Sequence, residues 1–466
     1  MPLRRQFSPF PDPMVSRRQF LAACGLSLLA GCADDARESG AATGTTATTT
    51  TEDSGPPLTP TPTPTSTPSS RADPTTEGDP SAGAGESSDS GGSWPALGFD
   101  AANTGYDPTA DGPGESVERR WRAPFAGDSA PRPPSMHEGV VYTQAATTAY
   151  AFDAADGSER WTVDLGLPAY SHAPAIADGT AYAAAIESRS PDTPGRMHAL
   201  DAADGSVSWA VDTPTIDSSP KLADGRLYYL STGDGRATVR AMDAADGSER
   251  WASGCTDCQQ RRPFRMLPPA VADGVVYLSV PGGNELYALD AADGSELWRT
   301  SFDRQLTSAT AVADDTLLFA AEDGTLFAAD AANGELRWTR TDEAMGSVYA
   351  TPAVADGTVV IAGNYRVAAV DAAGGTERWA VDRSTTNNNS YVTAADGVAY
   401  VGGKTLDAFD LEDGGVRWSF NTPGSFSLFT GAIVADGVVY AGSCVKETAE
   451  SRYDHYLYAI GPSGGP

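Results

Sequence analysis

A repeat of about 40 residues constrains this chain more than any other feature of its sequence. Each unit contains the pattern P-A-V-A-D-G-V-V-Y, a variable stretch, and then the pattern L-Y-A-L-D-A-A-D-G-S-E-x-W. Seven units close on a tryptophan, and an eighth, residues 431–466, lacks one. The segment ERRW, residues 118–121, lies at the other end of the repeated part and matches the closing segments of the other units. Repeats of this length indicate small structural units that bury their hydrophobic faces against one another.

Each unit contains about four short apolar or alternating stretches separated by turn residues, as expected for a small antiparallel sheet. In the fourth unit we expect strands at residues 269–272, 275–280, 285–290 and 295–298, with Asp273-Gly274 as a hairpin turn. The same pair recurs at Asp178-Gly179, Asp224-Gly225, Asp356-Gly357, Asp396-Gly397 and Asp436-Gly437. A lone four-stranded sheet has two open edges, so radial stacking around an axis stabilises it. We therefore predict an all-β fold, an eight-bladed β-propeller of four-stranded antiparallel blades that is closed by an N-terminal strand.

The segment ALDAADGSELW, residues 288–298, resembles the tryptophan-docking repeat of the pyrroloquinoline-quinone (PQQ) repeat propellers. The opening WPALGFDAANTGY, residues 94–106, also resembles the leader of these domains. The family includes quinoprotein dehydrogenases and a lipoprotein of the outer-membrane barrel assembly machinery. The resemblance implies that the closing tryptophans pack between neighbouring blades in a structural role. They are Trp121, Trp161, Trp209, Trp251, Trp298, Trp338, Trp379 and Trp418.

The resemblance also raises the question of quinone chemistry. Quinoprotein alcohol dehydrogenases of this resemblance carry a disulfide between adjacent cysteines over the cofactor, a calcium ion and an aspartate base. This sequence has no adjacent cysteine pair, and its tight period leaves little room for insertions around a quinone. An aspartate base on the axial face stays open as an alternative. We therefore assign no catalytic, cofactor-binding or metal-binding residue, and we disfavour PQQ and calcium as cofactors.

The D-A-A-D-G turns carry paired aspartates that could suggest calcium binding. The pairs are Asp153 and Asp156, Asp201 and Asp204, Asp243 and Asp246, and Asp290 and Asp293. The alternating acidic order of a calcium loop is absent, and an aspartate that accepts hydrogen bonds from its own turn explains the pattern. We therefore interpret these aspartates as turn residues.

Irregular insertions fall between the second and third strands of a unit or between units, positions that share one face of a propeller. They are residues 186–196, 254–267 and 443–453. The second carries an arginine and aromatic cluster that could bind a protein partner or an anionic ligand, unless its arginines pair with local acids. The cluster consists of Arg261, Arg262, Phe264 and Arg265.

The same insertion contains the CxxC motif of the chain, Cys255 and Cys258. In an exported protein a local disulfide between them is the leading interpretation. A metal site would need two further ligands, for which only Cys444, placed in the loop of the eighth unit, is evident. A redox pair is the third alternative.

An export signal precedes the repeats. Residues 16–32 read SRRQFLAACGLSLLAGC, with Arg17 and Arg18 before an apolar run that is too short for a permanent membrane span. The SRRQFL segment resembles a twin-arginine signal, and LAGC resembles a lipobox in which Cys32 is lipidated after cleavage. Residues 1–32 are therefore predicted to be a lipoprotein signal. An uncleaved anchor, or an ordinary signal with Cys32 incidental, is the alternative.

Residues 33–93 are rich in threonine, serine and proline and contain Leu58 as their single large aliphatic side chain. Such a segment cannot bury a core, so we predict a disordered tether that carries the folded domain, residues 94–466.

The charge of the chain limits the classes of partner that it can bind. The 62 acidic residues outnumber the 32 basic ones, and only three of the basic residues are lysines. This balance excludes a nucleic-acid binder that neutralises phosphates, and acidic lipid surfaces would repel the chain. It is typical of proteins from extreme halophiles, archaea above all, in which molar salt screens the repulsion.

Together these features predict a lipid-anchored propeller on the outer face of the cytoplasmic membrane. We expect it to be a monomeric, non-enzymatic scaffold for a protein partner that the sequence does not identify. The alternatives are a PQQ-dependent quinoprotein oxidoreductase at the cell surface and an extracellular receptor for a solute or glycan that uses the axial funnel.

Overall fold

A computed structural model describes residues 93–125, 129–169, 173–188, 193–233, 236–259, 267–280, 283–383, 391–422, 426–446 and 453–463. The predicted export signal and the predicted tether, apart from Ser93, lie outside these residues.

The described residues form short strands in regular succession. In chain order they are β1 (Tyr106–Asp107), β2 (Val117–Phe125), β3 (Ser135–His137), β4 (Val140–Ala145), β5 (Thr148–Asp153), β6 (Glu159–Asp164), β7 (Ala175–Ala177), β8 (Thr180–Ile186), β9 (Gly195–Asp201), β10 (Val207–Thr213), β11 (Thr215–Ile216), β12 (Lys221–Ala223), β13 (Arg226–Gly233), β14 (Arg236–Asp243), β15 (Glu249–Gln259), β16 (Ala270–Ala272) and β17 (Val275–Ser279). The second half continues with β18 (Glu285–Asp290), β19 (Glu296–Ser301), β20 (Ala311–Ala313), β21 (Thr316–Ala320), β22 (Thr325–Asp330), β23 (Leu336–Thr341), β24 (Ala353–Ala355), β25 (Thr358–Ala362), β26 (Arg366–Asp371), β27 (Glu377–Asp382), β28 (Val392–Ala395), β29 (Val398–Val401), β30 (Leu406–Asp410), β31 (Val416–Phe420), β32 (Phe426–Ala435), β33 (Val438–Lys446) and β34 (Asp454–Pro462). A one-turn 3-10 helix, Glu343–Met345, lies between β23 and β24.

These strands build eight antiparallel blades. Blades 1 to 7 are β3–β6, β7–β10, β12–β15, β16–β19, β20–β23, β24–β27 and β28–β31, and blade 8 is β32, β33, β34 and β2. The short β11 pairs with β13, and β1 pairs in parallel with β28. Each first strand contacts the first strands of both neighbouring blades, so the inner strands form a closed ring. The predicted eight-bladed propeller is confirmed.

Blade 8 is closed by the N-terminal strand, as predicted. Strand β2 pairs antiparallel with β34, and Trp121 lies opposite Ala459 as Trp161 lies opposite Ala151 in blade 1. The closing strand therefore repeats the register of a covalently continuous blade.

The turns define two faces of the propeller. Hairpins between first and second strands, and D-A-A-D-G turns between third and fourth strands, lie on one end, here called the turn face. In blade 4 both residues of the first hairpin have positive φ, 49° at Asp273 and 74° at Gly274, which explains the recurring Asp-Gly pair. Loops between second and third strands and between blades lie on the opposite end, the loop face.

The outer strand of blade 4 runs further than the sequence suggested. We expected it to end at Trp298, but β19 continues to Ser301, which pairs with Glu285 of β18. The side chains of this outer strand are exposed or half-buried, and few of them are apolar, so the sequence has no apolar pattern from which to predict the extension.

The closing tryptophans lie on the outer strands, and seven of them reach the D-A-A-D-G turn of the next blade. Each indole Nε1 donates a hydrogen bond to a carbonyl there. The pairs are Trp121 to Ala154, Trp161 to Ala202, Trp209 to Ala244, Trp251 to Ala291, Trp298 to Ala331, Trp338 to Ala372 and Trp379 to Leu411, at 2.9–3.2 Å.

The glycine of each such turn lies against the indole ring. At Gly294 a Cβ atom would stand 2.5 Å from the ring of Trp251, and the φ of this residue is 74°. A larger residue would therefore both strain the backbone and clash with the ring. The repeated glycine and tryptophan form one interlocking contact between neighbouring blades.

Trp418 breaks this pattern at the closure. It is buried, yet its Nε1 has no hydrogen-bond acceptor among the described residues. In blade 8 no D-A-A-D-G turn joins the third strand, β34, to the outer strand, β2. The two strands pair as far as Pro462 opposite Val117, and Val117 packs in the core cluster that contains Trp418. An apolar contact replaces the usual hydrogen bond at the interface of blades 7 and 8.

This difference predicts that a Trp→Phe substitution lowers the free energy of unfolding by different amounts at Trp379 and Trp418. Trp379 and Trp418 are buried to the same degree, but only Trp379 has an Nε1 acceptor among the described residues, the carbonyl of Leu411 at 2.9 Å. Trp379→Phe should lower the free energy of unfolding by about 1 kcal/mol more than Trp418→Phe, because it also leaves a carbonyl unpaired. Denaturant titrations in molar KCl measure both losses, and equal losses would contradict the assignment.

Candidate functional site

The axis of the propeller contains a segment of the chain itself, residues 94–112, here called the axial strap. Inner strands pair with second strands on one edge only, so their other edge needs hydrogen-bond partners from the axis. Carbonyl oxygens of the strap accept bonds from the N–H groups of six inner strands. The pairs are Met136 to Trp94, Ile176 to Pro95, Val271 to Ala101, Val312 to Ala102, Val354 to Thr104 and Ala394 to Gly105, at 2.7–2.9 Å. The strap therefore bonds to the free edges of blades 1, 2, 4, 5, 6 and 7.

The strap enters and leaves the axis at the turn face. Trp94 exchanges two 2.8 Å backbone hydrogen bonds with Met136 of blade 1, and Ser93 contacts His137 just before the first hairpin. At the other end the N–H of Gly437, in the hairpin of blade 8, donates to Asp111. One segment thus connects the first and last blades across the axis.

At blade 3 a lysine side chain makes the contact. Lys221, the first residue of β12, is fully buried, and its Nζ donates to the carbonyls of Leu97 and Asp100, the latter at 2.6 Å. Burial lowers the pKa of Lys221 to about 7, and the Asp100 carboxylate opposes this shift. A neutral amine has two N–H donors, which matches the two carbonyl acceptors.

Two further polar side chains of the axis bind the chain's own backbone. Asn103 is 1 % exposed, and its Nδ2 lies within 3.1–3.3 Å of the carbonyls of Pro268, Pro269 and Thr310 in blades 4 and 5. The carboxylate of Asp107 accepts hydrogen bonds from the next residues of the strap. The polar groups around the strap hold it in place.

The aspartates of the D-A-A-D-G turns bind their own turns. In blade 1, Asp153 accepts from the N–H of Ala155 at 2.9 Å and Asp156 accepts from that of Ser158 at 2.8 Å. Arg160 pairs with Asp153, and this hydrogen bond, with the turn N–H, lowers the pKa of that carboxyl. The same Asp–Arg pair recurs at Asp243–Arg250, Asp330–Arg337, Asp371–Arg378 and Asp410–Arg417.

Two expected loops are partly strands. Cys255 and Cys258 lie in the backbone of β15, which pairs with β14 as far as Gln259 through a register shift, so a loop beginning at residue 254 was wrong. Their pairing stays a prediction, because the structure does not describe their side chains. Cys444 is buried in β33, which pairs with β32 as far as Lys446, and not in a loop.

Other predicted site residues lie outside the described part of the chain. They are Arg17, Arg18 and Cys32 of the export signal, and Arg261, Arg262, Phe264 and Arg265 of the predicted partner cluster.

A buried ion pair between blades 6 and 7 was missed by the sequence analysis. Arg383 and Asp407 approach to 2.7 Å with side chains 6 % and 11 % exposed, and they line a cleft of about 250 Å³ with Phe409 and Val416. Asp407 is the residue before Ala408, which pairs with Trp418 of the outer strand. The equivalent residues elsewhere are Tyr150, His198, Arg240, Tyr287, Phe327, Ala368 and Tyr458. A blade-by-blade comparison of this position would have singled out the acid.

The described residues contain no cluster of three or more histidine, cysteine, aspartate or glutamate side chains that could hold a metal ion. Within the same part of the chain, no helix has the length and hydropathy that a membrane span requires.

The buried amine of Lys221 predicts a pH dependence of stability. The unfolded chain keeps this proton up to the ordinary pKa of 10.5, whereas the folded chain loses it near pH 7. The unfolded state therefore binds more protons in this window, and the free energy of unfolding should rise with pH by up to about 1.4 kcal/mol per unit. Denaturant titrations at several pH values should show that Lys221→Met removes this slope and that Lys404→Met, at an exposed lysine, keeps it. A wild-type slope in Lys221→Met would contradict the role of this amine.

Comparison with solved structures places the fold among known propellers. BamB from Moraxella catarrhalis aligns with a TM-score of 0.55 at 17% identity, over 74% of this chain and 97% of that one. The quinohemoprotein alcohol dehydrogenase ADHIIG from Pseudomonas putida HK5 aligns with a TM-score of 0.64 at 15% identity, over 80% and 81%. A europium-containing methanol dehydrogenase aligns with a TM-score of 0.61 at 12% identity, over 79% and 98%. At these identities the likeness shows the fold alone.

Sequence comparison is more specific. No curated protein matches the chain. The family model described as outer membrane protein assembly factor BamB matches it at residues 114–253, 149–283, 235–365 and 363–454. These matches cover well over half of the sequence, and the chain therefore belongs to this BamB-like family of PQQ-like repeat propellers.

Proposed function

We propose that this protein is a lipid-anchored extracytoplasmic propeller that serves as a non-enzymatic scaffold for a protein partner. Membership of the BamB-like family supports a role in protein interaction. The observation that carries the proposal is that polar side chains at the axis bind the chain itself: Lys221 binds the strap, Asn103 of the strap binds blades 4 and 5, and Asp107 binds its own turn. These polar groups stabilise the fold, which leaves the loop face and the blade rims for a partner.

The packing between blades supports the same role. Interlocked tryptophan and glycine residues join successive blades, and the strap connects the inner strands across the axis. A platform of this kind loses little conformational freedom when a partner binds, so more of the contact energy appears as affinity.

The proposed halophilic setting limits how a partner is recognised. The net charge of −30 would repel an acidic partner at low salt, but in molar salt charges are screened beyond about 3 Å. Recognition under these conditions depends on short-range apolar and hydrogen-bonded contacts more than on long-range attraction. On the loop face Tyr365 is such a group, with 49 % of its surface exposed.

The proposed attachment rests on the N-terminal sequence. The paired arginines and the apolar run direct the folded chain across the membrane, and lipid on Cys32 then holds it at the outer face.

Fractionation tests the anchor. Cys32→Ser should move the protein from the membrane fraction to the medium and remove the lipid mass from the intact protein. Replacement of Arg17 and Arg18 by lysine should keep the precursor inside the cell. Cys24→Ser, at a cysteine within the apolar run, is the matched control and should behave as wild type. A mature wild-type protein without the mass of a lipid on Cys32 would contradict lipid anchoring.

Site-specific photo-crosslinking in living cells tests the scaffold role. A photoreactive residue placed at Tyr365 or Asp323, both exposed on the loop face, should capture the same partner protein. The same residue placed at Ala155, exposed on the turn face, should capture it much less. Equal capture at the three positions, or no protein adduct at either loop-face position, would argue against a partner on this face.

A further inference from the structure

The hydrogen bonds that hold the axial strap are distributed unevenly along its length. From Ala101 onward its carbonyls accept bonds from the backbones of four consecutive inner strands, in blades 4 to 7. Asn103 adds contacts with three carbonyls. Between Leu97 and Asp100, by contrast, the described contact with blade 3 is the side chain of Lys221.

The part of the strap that contacts blade 3 is also bonded within the strap, where Gly105 donates to the Gly98 carbonyl and Thr104 donates to the Asp100 carboxylate, and its backbone is strained. It forms a tight turn in which the N–H of Phe99 donates to Ala96, with φ of 76° at Gly98 and 69° at Phe99. A left-handed conformation costs a residue such as phenylalanine about 1–2 kcal/mol. The ring of Phe99 packs edge-on against Trp94 at 4.9 Å, so the turn and the point of entry move together.

We propose that the axial strap is a latch that opens locally from its N-terminal end, and that Lys221 is the positioning residue that holds it closed. Loss of the two bonds from Lys221 frees the strained turn at residues 96–100. Trp94 and Pro95 then separate from Met136 and Ile176, while the part bonded to blades 4 to 7 stays in place. The opening exposes the inner edges of blades 1 to 3 and clears the turn-face end of the axis.

The position of the latch gives it a mechanical role. The chain enters the axis at Ser93, beside His137 on the turn face, so a pull on the preceding residues reaches Trp94 and the strained turn first. Opening of this end breaks the two side-chain bonds of Lys221 and three backbone bonds, two between Trp94 and Met136 and one from Ile176 to Pro95. This role does not depend on the identity of the partner, and it would hold for a receptor or an enzyme with the same strap.

Hydrogen exchange of single amides in the full-length protein tests the latch. In Lys221→Met, the amide of Ile176, bonded to Pro95, should exchange on the order of tenfold faster or more. The amides of Val354 and Ala394, bonded to the far part of the strap, should change less than about twofold if the opening is local. Lys404→Met is the control and should leave all three rates unchanged. An unchanged Ile176, or an equal acceleration of all three amides, would overturn the proposal.

The wild-type protein gives an independent test if Lys221→Met does not fold. Exchange measured at low denaturant concentrations separates local openings, which respond weakly to denaturant, from global unfolding, which responds strongly. Ile176 should show a weak response and Ala288, inside the ladder of blade 4, a strong one. The same strong response at both amides would mean that the strap opens only with the whole propeller, which would overturn the latch.

Discussion

The contact between an outer-strand tryptophan and the glycine turn of the next blade is the interaction on which the rest of this structure depends. Each four-stranded blade is one repeat unit, and it buries its apolar faces by stacking against its neighbours. The indole covers the turn of its neighbour, and the glycine admits it because a side chain there would occupy the same space. Repeated around the ring, this contact sets the spacing of the blades, and the strand β2 closes the ring without a covalent turn.

Closure leaves a second constraint at the centre. The inner edges of eight sheets meet around one axis, and their backbone groups need hydrogen-bond partners. A second ring of strands would not fit in this space. A single segment answers this need by passing from blade to blade and bonding one or two backbone groups in each blade except the third. At blade 3 the buried side chain of Lys221 makes the contact, and the cost is the desolvation of an amine. Stability at the axis and the capacity for local opening therefore come from the same residue.

Much of this fold could be predicted from the repeat, because each unit carries its own strand pattern and Asp-Gly turns. The position of Trp121 revealed the closure, since the missing tryptophan of the last unit reappeared near the start. The strap could not be predicted, because its hydrogen bonds come from backbone groups of residues far apart in sequence. Lys221 and Asp407 gave only a faint signal, a charge at a repeat position where most other units have uncharged residues. The strand around Cys255 lacks the apolar alternation that identifies strands, which is why it resembled a loop.

The strap of this chain bonds to the inner strands at the turn-face end of the axis, and we propose that the propeller acts through its surface as a scaffold. An absorbance and fluorescence titration of the full chain with PQQ and calcium in molar salt, followed by a dye-reduction assay with simple alcohols and sugars, separates this role from that of an enzyme. We expect no stoichiometric binding of the quinone and no turnover. Stoichiometric binding with dye reduction would contradict the scaffold and place the chemistry of a quinoprotein oxidoreductase in this fold.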